Sequence, residues 1–175
     1  MTTPSLEIEP MTAERVKGFH RTFVTGVTAV TTRDGATEEP RGLVVNAFSA
    51  LSLDPPSIVV CVQKTSTSYR HLFARDHLAV NILAADQAEV ASQLASKAPD
   101  KFTHIRWRPA PAGSPVLDGA AAWLEARITE RIQSSTHTMF IAEVTAVDHS
   151  DRAPLLYASG RFYDGGHLTE LGEKD

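Results

Sequence analysis

The chain has 175 residues, 42% hydrophobic and 22% charged, with a net charge of -4. That is the balance of one soluble globular domain, long enough to bury about two thirds of its unfolded surface. The acidic balance provides no field for nucleic acid, no run approaches the 18 apolar residues of a membrane-spanning helix, and Met1 to Pro10 lacks the apolar core of a secretory signal.

Met1 to Pro10 and Gly165 to Asp175 are polar and are expected to form a flexible arm and a tail around one domain over residues 11–164. Thr12 is placed to cap a helix whose Val16, Phe19 and Phe23 share a face. Thr25 to Thr32 is nearly all β-branched and reads as a strand, closed by the turn signal Asp34-Gly35. Leu43 to Leu53 reads as one further strand and Ser57 to Val62 as the next. Ser66 to Ala74 is expected to be a short helix with Leu72 and Phe73 inward, followed by a strand over His77 to Leu83. Asp86 and Glu89 resemble a capping box opening a helix that buries Val90, Ala91 and Leu94. Ala121 to Arg131 alternates, with Ala122, Leu124, Ala126 and Ile128 on one face, so Glu125 reads as a surface charge, as does Glu143. Thr138 to Val147 and Leu155 to Tyr163 complete a set of about seven strands. Many strands with a few short helices favour a closed or partly closed barrel over a doubly wound sheet, and no G-x-G-x-x-G opens a helix.

Among side chains able to carry chemistry, Asn46, Phe48, Ala50 and Ser52 share one parity of a strand. An amide and a phenyl in one pocket can bind a flat heterocycle, although on periodicity alone an outward polar face is the simpler reading. Ser66-Thr67-Ser68 at a helix start suits a phosphate or plain capping. Ser96-Lys97, with Lys101 and Phe102 beyond it, can neutralise a phosphate or remain a solvated loop. None of the seven histidines makes a metal-ligand spacing, so no metal is expected. His137 opens a strand after a polar turn, where an imidazole can hydrogen-bond an amide ligand or shuttle a proton. Cys61, the single cysteine, cannot form an internal disulfide, which fits a cytoplasmic protein.

The order of these segments resembles the flavin reductase-like, FMN-binding split-barrel family. The matching pieces include Phe23 to Thr32, Gly42-Leu43-Val44-Val45-Asn46-Ala47-Phe48-Ser49-Ala50-Leu51-Ser52-Leu53-Asp54-Pro55-Pro56, Val59 to Val62, and His77 to Leu83. Further pieces are Lys97 to Phe102, Pro115 to Ala120, His137 to Val144 and Pro154 to Tyr157. The resemblance implies a mainly β, six-stranded Greek-key split barrel that forms a homodimer and binds FAD or FMN near the dimer interface. It implies an NADH-dependent flavin reductase that hands reduced flavin to a partner monooxygenase. By position, Val45, Asn46, Ala47, Phe48, Ser49 and Ala50, with Cys61 and Val62, line the isoalloxazine. Ser68, Ser96 and Lys97 meet the ribityl phosphate beside Phe102, His137 lies at the nicotinamide, and Arg161 and Tyr163 lie near the nucleotides. The chain departs from the family in carrying Val44, Ala47 and Ala50 at positions that usually hold hydroxyls, and Thr136 where an Asp usually precedes the histidine. The same fold also serves as a flavin-binding module without turnover. A pyridoxamine-phosphate type oxidase would need a denser set of Arg and Lys than this chain offers.

Overall fold

The structure is a computed structural model that describes residues 10–172. The expected arm lies outside the described residues save Pro10, whereas the expected tail is described over 165–172 and opens on a 3-10 turn, Gly165–His167, held by the Asp164 carboxylate. Three short helices are present among the described residues: α1 (Ala13–Thr22), α2 (Tyr69–Ala74) and α3 (Ala88–Ala95). Among the described residues the strands number twelve, more than the sequence indicates, because three expected runs are each broken in two and a short pair is added. The first six are β1 (Thr25–Gly26), β2 (Thr28–Arg33), β3 (Pro40–Val45), β4 (Phe48–Leu53), β5 (Pro56–Gln63) and β6 (His77–Ile82). They continue as β7 (Trp107–Pro109), β8 (Pro115–Leu117), β9 (Ala122–Gln133), β10 (His137–His149), β11 (Leu155–Ala158) and β12 (Arg161–Asp164).

Seven strands form the main sheet in the order β3-β2-β6-β9-β10-β5-β4. Its two edges, β3 and β4, are consecutive in sequence and joined only by Asn46-Ala47. Three peptide steps reach at most about 11 Å, so the sheet must curl until its edges meet. The barrel is closed by the chain at this point, and no ladder pairs β3 with β4. Counted as one bent strand, β3 and β4 restore the six-stranded split barrel. Register shifts at Ile141/Ala142 and Val144/Ala146 of β10, and at Ala50/Ser52 of β4, supply the bends that closure requires.

Alternating side chains divide the apolar interior in two. Val30, Val60, Val62, Leu78, Val80, Ala126, Ile128 and Phe140 fill the barrel, plugged at one end by Leu72 of α2. On the outer face of β2, Val27 and Ala29 pack with Leu83, Leu117, Leu155 and with Ala91 and Leu94 of α3. Covered on both faces, β2 reads as an unbroken buried run and shows no alternation. Its polar side chains are satisfied: Thr28 donates to Val45 O at 2.7 Å and Thr31 to Pro115 O at 2.5 Å. Thr12 caps α1 as expected, accepting from Arg15 N. The expected Asp86/Glu89 box is absent; Gln87 instead accepts from Ala84 N at 3.0 Å, and Asp86 pairs outward with Arg152.

Glu125 corrects the surface reading of β9, since it is fully buried. Its carboxylate accepts from Ala112 N at 2.7 Å and Ser114 N at 2.9 Å, holding the turn that leads into β8. Two charge-to-backbone hydrogen bonds keep this anion inside, and removing one leaves a buried N–H unpaired at a cost of about 1–3 kcal/mol. Glu125→Gln is therefore expected to lower the thermal midpoint by several degrees, read by calorimetry; an unchanged midpoint would contradict this role.

Candidate functional site

The split between β3 and β4 is where the surface opens. Asn46 and Ala47 fall outside both neighbouring ladders, and the two flanks are pinned separately. Thr28 holds the end of β3 through Val45 O, while Cys61 N donates to Ala47 O at 2.9 Å beside β4. Around this break lies a groove of about 470 Å3 lined by Val45, Asn46, Ala47, Cys61, Gln63, Thr65, Ser96, Lys97, Lys101 and His137 among others. The lining mixes apolar side chains, Val45, Ala47, Cys61 and Leu94, with the hydrogen-bonding groups of Asn46, Gln63, Thr65 and His137. Lysines stand towards α3, from whose C-terminus Ser96 and Lys97 follow. A flat heterocycle with an anionic tail fits a site of this chemistry.

The groove thus brings together seven of the expected positions: Val45, Asn46, Ala47, Cys61, Ser96, Lys97 and His137. His137 is exposed at the first residue of β10, its Nδ1 2.8 Å from the Thr136 hydroxyl. Thr136 therefore engages this ring nitrogen without bringing a charge. Ser96 directs its own hydroxyl to Gln93 O at 2.7 Å and accepts from Ala98 N, so it shapes the loop that presents Lys97.

Other expected positions lie elsewhere, for stated reasons. Val62 is fully buried in the barrel core, because neighbours on a strand point to opposite faces and Cys61 already takes the groove side. Phe48 packs against the same core, while Ser49 and Ala50 are exposed on the edge strand and do not line the groove. Ser68 is 2% exposed and spends its hydroxyl on Gly42 O at 2.5 Å, a bond that ties α2 to β3 and leaves no hydroxyl for a phosphate. Arg161 and Tyr163 sit on β12, in a separate three-stranded sheet with β1 and β11, and line neither this groove nor its neighbour.

That neighbour is a second groove of about 600 Å3, which shares Thr67, Lys97 and Lys101 with the first and contains Phe102. Lys101 sits at the junction with only 8% of its surface exposed. Its ammonium has one protein partner, Leu94 O at 3.1 Å, and burial pushes its pKa below the usual lysine value. A buried ammonium with unused N–H groups is relieved when an anion arrives. Sequence reading names Lys101 only beside Lys97; its burial depends on the fold of the 96–102 loop over α3, which no local pattern encodes.

Comparison with known proteins matches residues 19–166 to the family model described as "Flavin reductase like domain". The chain is 38% identical over 141 residues to the stachydrine N-demethylase reductase subunit of Rhizobium meliloti, covering 81% of this chain and 61% of that one. It is 32% identical over 161 residues to the reductase subunit of a flavin-dependent monooxygenase of Mycobacterium tuberculosis, covering 90% and 83% of the two chains. Three of the curated relatives are much longer, and the chain spans 61%, 45% and 45% of their length. Among solved structures, the NADH:FAD oxidoreductase of Streptomyces globisporus C-1027 superposes with a TM-score of 0.83 at 29% identity, over 100% of this chain and 98% of that one.

The lysine at the junction gives the site a direct test. A charge-assisted hydrogen bond contributes about 1.5–3 kcal/mol, and each 1.4 kcal/mol is about tenfold in affinity. Lys101→Met is expected to weaken FMN binding at least tenfold in a fluorescence titration while riboflavin, which lacks the phosphate, changes less than threefold. Equal losses for both ligands would remove Lys101 from the anionic end.

Proposed function

The chain belongs to the flavin reductase-like domain family, and from that membership we propose that it is an NADH-dependent flavin reductase. In this reading it moves hydride from NADH to a freely exchanging flavin, FAD or FMN, and supplies the reduced flavin to a partner monooxygenase. Support comes from relatives named as reductase subunits of monooxygenases and as an NADH-dependent FAD reductase and an NADH:FMN oxidoreductase. The observation that carries it is the groove at the split, which gathers hydrogen-bonding side chains, apolar side chains and two lysines suited to a flavin's ring edge, ring plane and phosphate.

When bound, an oxidised flavin would supply the hydride acceptor for the nicotinamide. The chain's own residues have three tasks. Asn46 and the backbone released from the ladders at Asn46-Ala47 hydrogen-bond the ring edge and orient it. Those same dipoles stabilise negative charge developing at that edge. Lys97 and Lys101 hold the phosphate at the opposite end, and the His137 imidazole meets the nicotinamide amide at the mouth. No acid or base is needed for the hydride itself, which is consistent with Glu125 and Glu143 being engaged elsewhere: Glu125 in a turn, Glu143 with Arg127 at 2.5 Å.

The open groove and the missing hydroxyls at Val44 and Ala47, both of which line it, favour modest affinity, so that reduced flavin leaves by diffusion. The active form in this reading is a homodimer. Its support is exposed apolar side chains: Phe19 of α1 and Phe23, just past its end, are 73% and 68% exposed, and Leu53 of β4 is 92% exposed. The single domain is taken to run over residues 11–164. Among the described residues no helix is long and apolar enough to cross a membrane, and the unpaired Cys61 together with the need for NADH supports a cytoplasmic location.

Flavin-free protein mixed with NADH is expected to oxidise it at 340 nm only when FAD, FMN or riboflavin is added, with turnover continuing as flavin is recycled by oxygen. Folded, dimeric protein that binds flavin and oxidises no NADH would overturn the reductase and leave a flavin-binding module.

A further inference from the structure

The flavin reading assigns the first groove, of about 470 Å3, and leaves the second without an occupant. At about 600 Å3 the second is as large as a complete small-molecule site. It begins at the phosphate end, sharing Lys97 and Lys101 with the first groove, whereas His137 lines only the first. Whatever continues into it must therefore extend from the flavin's phosphate and away from the nicotinamide.

Its charge is also arranged for an anion. Arg41 is already balanced by Asp34 at 3.2 Å and Glu39 at 2.8 Å, and Asp100 is the remaining acid on the rim. That leaves Arg70, Lys97 and Lys101 as cations without an acidic partner among the described residues. Arg70 is not loose: its Nε donates to His71 Nε2 at 3.1 Å. His71, 8% exposed, in turn has Nδ1 3.5 Å from the Asp34 carboxylate. Accepting from Arg70 requires His71 to be neutral at Nε2, and burial does hold its pKa below the ordinary histidine value. The two terminal nitrogens of Arg70 remain available to a ligand, preorganised by the chain Asp34–His71–Arg70. Phe102 offers a half-buried ring along the same groove.

Resting on the flavin reading, we propose that the second groove binds the adenylate limb of FAD, with Arg70 on its second phosphate, and that the protein prefers FAD to FMN. Lys101 and Lys97 bracket the first phosphate, Arg70 takes the next, and the adenosine lies along Phe102. A nicotinamide dinucleotide carries the same pyrophosphate and adenosine, but would have to enter from the His137 side.

Equilibrium titration of flavin fluorescence without NADH separates these sources, followed by steady-state KM values for NADH. The expected result is FAD binding at least tenfold tighter than FMN in the native chain. Arg70→Ala is expected to shrink that gap to less than threefold, Arg70→Lys to restore part of it, and the KM for NADH to move less than threefold. Equal affinities for FAD and FMN in the native chain would overturn the proposal, as would a gap that survives Arg70→Ala. A KM for NADH raised tenfold beside an intact gap would also overturn it and assign the groove to the nicotinamide cofactor. These outcomes leave the reductase standing; only loss of binding by every flavin in the folded native chain would remove both.

Discussion

Two residues, Asn46 and Ala47, bridge the opposite edges of a seven-stranded sheet. The link is too short for the edges to part and too irregular for them to pair, so the barrel closes without a seam of hydrogen bonds. The rest of the architecture accommodates that constraint. Bulges in β10 and β4 bend the sheet, Phe140 and the valines of β5 fill its interior, and α2 covers one end. A barrel with a continuous ladder would bury its backbone groups against each other; this one leaves Asn46 and Ala47 outside the β3 and β4 ladders, with Ala47 O held by Cys61 N, beside a cavity.

Polarity along the groove follows from what flanks the break. Strand residues alternate, so one side of β5 gives the core Val60 and Val62 while the other gives the groove Cys61 and Gln63. The loop after α3 then lays Lys97 and Lys101 across the far end. Keeping the Lys101 ammonium inside the protein with one carbonyl partner is unfavourable for folding by itself, as its lowered pKa records. Such a group makes sense as a ligand contact, where a phosphate offsets the desolvation. Glu125 is the opposite case: equally buried, fully hydrogen-bonded to backbone, and structural. Burial of a charge marks function here only where the partners are incomplete.

Much of this was legible from local pattern. The strand runs, the Thr12 cap and the apolar positions of α2 and α3 follow from side-chain period and capping chemistry, and the core faces of β5 and β9 follow from parity. The break at Asn46-Ala47 was not: Asn and Ala are weak strand formers, but with no Gly or Pro between Leu43 and Leu53 the run still reads as one strand, and closure of the sheet is what demands the break. Glu125 escaped for a similar reason, since its partners Ala112 and Ser114 are brought to it by a distant turn. Family position placed Asn46, Ala47, Cys61, Lys97 and His137 around one groove, but it also joined Val62 to Cys61 against the alternation of a strand. It could not foresee that Ser68 would spend its hydroxyl on Gly42. Arg161 and Tyr163 belong to a second sheet whose relation to the groove depends on tertiary packing alone.

The central claim is that flavin sits in the groove at the split, and Cys61 gives the most direct measurement of it. It is the single cysteine of the chain and lines that groove. The rate of its alkylation by a maleimide can therefore be followed without mutation, with and without saturating FAD or FMN. The account predicts that bound flavin slows modification at least tenfold, and that alkylated protein no longer binds flavin. Alkylation at the same rate in the presence of bound flavin would place the ligand elsewhere and contradict the account.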